Sequence, residues 1–234
     1  MITVETIRER HSVREYDGKP LARAEFDALG VVVRECARES SLDIQLVGDN
    51  PEVFNVIARF GLIRGCRTHV AFVVDDAKAG DATRMAVDEA LGCWGQKIVL
   101  AAQDMGLNTC WCALCSRKKS RAVVAPGKKI RLIIAVGHGK TQGTPRKTKS
   151  VGTLSSVECE KAPAWFAAAM EAAQLAPTAM NNQNFKITLL SDGKTVRIEA
   201  PQSGLNVIDE GIVRRNFEIA ANESGADWCW ESDI

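Results

Sequence analysis

The sequence predicts an α+β fold: a mixed β-sheet flanked by helices, with an internal pseudo-two-fold duplication. Three observations carry that expectation. Helical and strand patterns interleave without the strict alternation of a doubly wound sheet. Two strand-length runs, Val70–Val74 and Ile130–Gly137, are almost wholly apolar, as strands covered on both faces are. A helix-and-strand block near residue 100 recurs 119 residues later.

The first elements are a short helix over Val4–Arg10 and a second helix opened by Pro20, with Leu21, Phe26, Leu29, Val32, Val33 and Cys36 at helical spacing. A strand over Asp43–Val47 and a helix in "NPEVFNVIARFG", closed by Gly61, come next. The strand "THVAFVVDD" precedes a long helix from about Asp81 to Met105, stopped at Gly106. Then follow strand "TCWCAL", helix "SRKKSRAVVA", strand "IRLIIAVG" and a basic Gly/Pro/Thr-rich loop. The last third holds a helix near Ala162–Ala176, the polar loop "PTAMNNQN", a hairpin turning at "SDGK" and a helix from about Asp209 to Ser224.

The repeat aligns Gly92–Trp111 with Gly211–Trp230 without a gap. Gly92/Gly211, Ala101/Ala220, Ala102/Ala221, Gly106/Gly225, Cys110/Cys229 and Trp111/Trp230 are identical pairs. The expectation is one chain in two related halves, residues 1–144 and 145–234, packed as one unit, like a homodimer fused end to end. Such a pseudo-dimer is expected as a monomer or weak homodimer. The loop "LAPTAMNNQ" occurs in one copy only, which predicts one working site.

A net charge of +1 on 234 residues gives no global field to hold nucleic acid or an anionic membrane, so neither is an expected partner. No run approaches the roughly 18 apolar residues of a membrane span. The opening "MITVETIRER" lacks the apolar centre of an export signal, and eight scattered cysteines read as free thiols. A cytoplasmic protein is expected.

Locally, "RERHSVREYDGKPL" crowds Arg8, Arg10, His11 and Arg14 around Ser12. It is either a solvated charge run or a site for an anion. "TCWCALC" is open to two readings as well: Cys110, Cys112 and Cys115 as metal or iron–sulfur ligands, or as buried thiols. No fourth ligand stands at suitable spacing, and no metal is expected. His69 and His138 read as structural. No Ser-His-Asp order, HExxH or phosphate-binding GxxxxGK[ST] motif is present.

Four motifs together resemble the FMN-dependent nitroreductase family: "RHSVREYDGKPL", "AAQDMGLNTCWCALC", "PRKTKS" and "LAPTAMNNQNFKI". Their order matches a subgroup in which one chain resembles the usual homodimer. The resemblance implies that Arg10, His11, Ser12 and Arg14 take the phosphate and ribityl side of FMN. It gives Lys147 and Lys149 the same task, with Arg146 competing, and places the amides of Ala113 and Leu114 near flavin N5 and O4. Pro177, Thr178 and Ala179 would touch the ring, with Asn181 and Gln183 fixing the loop. Family Pro-Trp is replaced by Asn184-Phe185 here.

The implied activity is an NAD(P)H oxidoreductase passing hydride through flavin N5, in ping-pong fashion, to a small-molecule electron acceptor of nitroaromatic or quinone type. NADH or NADPH would be the donor, and no catalytic side chain is implied. Two alternatives stay open: a flavin-binding or sensory protein with little turnover, and another flavin reaction on the same fold.

Overall fold

A computed structural model describes residues 2–54, 63–75, 80–112, 115–157 and 161–231. The chain divides into two compact units. One comprises Arg10–Thr83 and Lys97–Pro145; the other comprises Met1–Glu9, Arg84–Gln96 and Arg146–Ile234.

The first unit is built on a four-stranded antiparallel sheet in the order β1 (Asp43–Val47), β2 (Thr68–Asp75), β4 (Lys128–Gly137), β3 (Asn108–Cys112). β2 is buried from Thr68 through Val73, as its unbroken apolar run predicts. α2 (Arg23–Ser40) lies on β1, burying Leu29, Val33 and Cys36. It starts three residues after Pro20, because the Glu25 carboxylate reaches back to accept the Ala22 N–H at 2.8 Å.

One expected helix differs. "SRKKSRAVVA" forms only a 3-10 turn over Arg117–Lys119. The amides beyond it are taken by side chains from elsewhere: Arg121 N–H donates to Asn50 Oδ1 and Val123 N–H to Gln45 Oε1, each at 2.8 Å. Val123 stays 77% exposed, so a helix here would have had no buried face to stabilise it. At "NPEVFNVIARFG" a single 3-10 turn spans Pro51–Phe54, and residues 55–62 lie outside the described ones.

The second unit holds a three-stranded mixed sheet of β5 (Lys186–Leu189), β6 (Thr195–Glu199) and β7 (Cys229–Trp230). β5 and β6 are antiparallel, β6 and β7 parallel. The hairpin turn is closed by Asp192, which accepts the Lys194 and Thr195 amides at 3.0 and 2.9 Å, with Gly193 at φ +72°. α5 (Ala164–Gln174) packs on α6 (Asn206–Glu223), where the Phe166 and Phe217 rings meet at 5.7 Å and Asn216 Nδ2 donates to Ala172 O at 3.0 Å. Trp165, Phe217, Trp228 and Trp230 extend that core as a chain of ring contacts. α1 (Val4–Glu9) and the four-residue α4 (Val151–Leu154) complete the unit.

α3 (Asp81–Asp104) runs unbroken to Asp104, is capped by Met105 and is followed by Gly106 at φ +76°. Within the second unit its 84–96 portion meets α6 at Gly92 and Gly211. A Cβ on Gly92 would stand 2.0 Å from Ile208 O, and one on Gly211 2.0 Å from Glu89 O. The contact is reciprocal under the 119-residue shift that aligns the two sequences. The strand directions correspond too. β2 and β3 each lie antiparallel to β4 and so run parallel to each other, as β6 and β7 do in direct contact.

Candidate functional site

The segment Arg10–Asp17 is extended and pinned on both sides within its unit. Val13 N–H donates to Thr109 O of β3 at 3.0 Å, and Tyr16 N–H to Arg64 O at 2.9 Å. Arg64 N–H returns a bond to Arg14 O at 2.8 Å, and Lys140 N–H donates to Glu15 O at 2.9 Å. Gly143 closes against His11, where a Cβ would meet the His11 Cβ at 2.6 Å. The serine–arginine motif is therefore held in place by its backbone.

The motif's side chains are unusual. Arg10 is 2% exposed, and burial of a guanidinium is costly unless negative charge or hydrogen bonds compensate it. Ser12 hydrogen-bonds the Cys110 thiol; burial pushes that thiol up, opposed by the charges of Arg14 and Arg10. Arg10, Ser12 and Arg14 thus gather around Cys110 of β3, joining two sequence signals nearly a hundred residues apart. Trp111, on the opposite strand face from Cys110 and Cys112, stacks on Phe72 at 6.4 Å.

In the second unit, the basic segment and the polar loop lie side by side. Asn181 Nδ2 and Gln183 Nε2 both donate to Lys147 O, at 2.8 and 3.1 Å. Lys149 and Gln183 clasp each other: Lys149 N–H donates to Gln183 Oε1 at 2.8 Å, and Lys149 Nζ to Gln183 O at 3.0 Å. Gln183 is 3% exposed, a buried amide with each polar group used. Met180, Asn181 and Gln183 sit at φ +53°, +56° and +47°, a conformation that costs non-glycine residues energy and needs such outside bonds to persist.

Asp209 in the first turn of α6 holds the loop from behind. Its two carboxylate oxygens accept the Ala179 N–H at 3.0 and 2.9 Å. Burial pushes its carboxyl up to about 6, against the lowering effect of that bond. No motif marks Asp209; its one trace in the sequence is an acidic residue opening a helix.

Arg146, the competing choice among the basic residues, has its Nε buried without a hydrogen-bond partner among the described residues. Burial lowers its pKa to about 10. Lys149 Nζ, by contrast, is engaged with Gln183. In this segment, then, Arg146 holds a buried donor suited to an anion. Pro177 is buried, Thr178 and Ala179 are half-buried, and Thr178 Oγ1 accepts Gln183 N–H at 3.0 Å. Ala113 and Leu114 lie outside the described residues.

His69 is fully buried with Nε2 2.8 Å from Ser120 Oγ, and burial lowers its pKa to about 4. His138 stands 3.1 Å from the Glu25 carboxylate. Among the described residues, no helix is long and apolar enough to cross a membrane.

The fold defines the class first. A crystal structure of a "putative nitroreductase" from Thermotoga maritima is similar over 96% of this chain and 85% of that one, at 23% identity and a TM-score of 0.65. A nitroreductase family protein from Streptococcus pneumoniae covers 66% and 98%, at 13% identity and a TM-score of 0.53. A "putative nitroreductase" from Desulfovibrio desulfuricans, solved in complex with FMN, covers 66% and 95%, at 17% identity and a TM-score of 0.50. These likenesses establish a nitroreductase-type fold. Within it, residues 2–221 match the family described as "Putative TM nitroreductase", and the chain belongs to that family. It is accordingly an oxidoreductase. No curated protein matches the sequence.

Proposed function

We propose that the protein is an FMN-dependent NAD(P)H oxidoreductase acting on small electron-poor molecules of nitroaromatic or quinone type. The observation that carries this reading is the buried Arg10 beside Ser12 and Arg14, in a chain whose family and fold are those of nitroreductases. The FMN complex of the Desulfovibrio protein supports the choice of flavin.

The residues present suit such a group. A phosphate is a dianion whose burial needs directed cationic donors, and a guanidinium offers two in one plane. Arg10 and Arg14 would hold the phosphate, with His11 and Ser12 on the ribityl side. Arg146 has the buried donor for an anion, while Lys147 and Lys149 shape the segment that the loop grips. Pro177, Thr178 and Ala179 would contact the ring, on a loop stiffened by Asn181, Gln183 and Asp209. When bound, the flavin would supply the two-electron chemistry, accepting hydride from NADH or NADPH and reducing the acceptor. The protein's part is to orient that group and keep the loop in one conformation, so no acid–base side chain is required.

We also read the reciprocal glycine contact and the parallel strand pairs as support for an internal duplication, one chain doing what two subunits do elsewhere.

The test is anaerobic. Protein purified with its flavin, or reconstituted with FMN, should lose its yellow absorbance on adding NADH or NADPH, and regain it with a nitroaromatic or quinone. A chain that binds no flavin fails the cofactor assignment. A chain whose flavin stays oxidised with both nucleotides is a binder without this activity.

A further inference from the structure

Cys112 and Cys115 stand at the C-x-x-C spacing used for reversible disulfide chemistry, and the function proposed above makes no use of either thiol. Cys112 ends β3 and is buried; Cys115 is only partly buried. The two sulfurs are in hydrogen-bond contact, and Cys115 Sγ lies 3.7 Å from the Cys112 carbonyl oxygen. Arg117, two residues on, opens the turn Arg117–Lys119 and puts positive charge beside Cys115, with Lys118, Lys119 and Arg121 close in sequence.

From this arrangement we infer that Cys112 and Cys115 form a thiol–disulfide exchange site for small anionic disulfides. The division of labour follows from exposure. Cys115, the less buried of the pair, is the attacking group, and Cys112, the buried one, resolves.

The electrostatics agree with that order. The Cys112 hydrogen bond, then the Arg117 charge, hold the Cys115 thiol below its usual range. The Cys115 contact and burial push Cys112 well above it. A thiolate at Cys115 therefore accepts a bond from the Cys112 S–H, while a thiol there can donate to the Cys112 carbonyl. Cys66 and Cys110 make the contrast, since burial raises both.

The step balances as follows. The Cys115 thiolate attacks one sulfur of the external disulfide, whose S–S bond breaks and releases one thiolate. Cys112 then gives its proton to solvent and attacks the Cys115 sulfur, forming the intramolecular bond and releasing the second thiolate. Two protein thiols are oxidised and one external disulfide is reduced to two thiols. An external dithiol reverses the reaction.

The test uses reduced full-length protein with glutathione disulfide, quenched with N-ethylmaleimide and mapped by peptide mass. The expected result is loss of alkylation at Cys112 and Cys115 together, with one peptide two hydrogens lighter, while the other cysteines stay alkylated. Cys112→Ser should accumulate a glutathione adduct on Cys115, and Cys115→Ser should accumulate none on Cys112. Dithiothreitol should restore both thiols. Retention of all thiols in the wild type, or a bond from either residue to a different cysteine, would overturn the proposal. So would preferential adduct formation at Cys112. The wild-type map, taken both with and without added FMN, decides alone if a variant fails to fold.

Discussion

Gly92 and Gly211 are each other's counterpart in the repeat and each other's neighbour in space. Each lies where the other's helix backbone comes within 2.0 Å of its missing Cβ. A methyl at either position must drive α3 and α6 apart at their closest approach. Gly92→Ala and Gly211→Ala should therefore each cost about 1–3 kcal/mol, although alanine favours helix. Gly152, with open space around its missing Cβ, is the control and should be near neutral when replaced by alanine. Denaturant midpoints of the three variants read the difference. Equal loss at both repeat positions is expected; loss at one alone contradicts a reciprocal contact.

Removal of either arginine of the N-terminal motif should weaken FMN binding. A charge-assisted hydrogen bond contributes about 1.5–3 kcal/mol, so Arg10→Ala and Arg14→Ala should each raise the dissociation constant roughly 10- to 150-fold. Arg146→Ala should show a comparable loss, and Lys147→Ala a smaller one. Fluorescence titration of the apoprotein with FMN provides the measurement. Unchanged affinity in Arg10→Ala would remove that residue from the site.

The clasp of Lys149 and Gln183 should matter to stability without any ligand. Gln183→Ala leaves buried partners unsatisfied and should cost about 1–3 kcal/mol. Met180→Gly should do the opposite. Met180 is 92% exposed at φ +53°, so little contact is lost and a strained conformation is relieved, a gain of up to about 1 kcal/mol. Thermal unfolding of both apoprotein variants tests the pair.

Asp209 gives the loop a pH signature. Its folded pKa of about 6 lies above the unfolded value of about 3.9. The folded state therefore binds the proton more tightly. The resulting stability is fully present below about pH 4 and is lost as pH rises through about 6. The difference is on the order of 1–3 kcal/mol after allowing for partial exposure. Asp209→Asn keeps an oxygen for the Ala179 N–H and removes the charge. Subtracting its stability profile from the wild-type profile between pH 4 and 8 should leave a single downward step. A flat difference would show that Asp209 does not titrate in that range.

Much of this fold was legible because its signals are local. Apolar runs marked β2 and β4, helical spacing marked α2, and Gly106 marked the end of α3. The serine–arginine and asparagine–glutamine motifs were visible for the same reason. What stayed hidden depends on contacts distant in sequence. Residues 116–125 carry good helix formers, but Asn50 and Gln45 capture amides at 121 and 123, and no buried face awaits a helix there. Asp209 looks like any first-turn acid until Ala179 is brought to it. Lys149 and Arg146 look alike as basic residues. Only folding separates the amine engaged by Gln183 from the buried guanidinium Nε of Arg146, which has no hydrogen-bond partner among the described residues.

The backbone passes between the two units at residues 9/10, 83/84, 96/97 and 145/146, and α3 belongs partly to each. No single cut can release either body whole. Cleavage after residue 145 would strip one piece of its aromatic core and leave residues 84–96 of α3 without α6 to rest on. Attempts to dissect the protein by truncation should therefore yield insoluble fragments, and melting should register as one event rather than two.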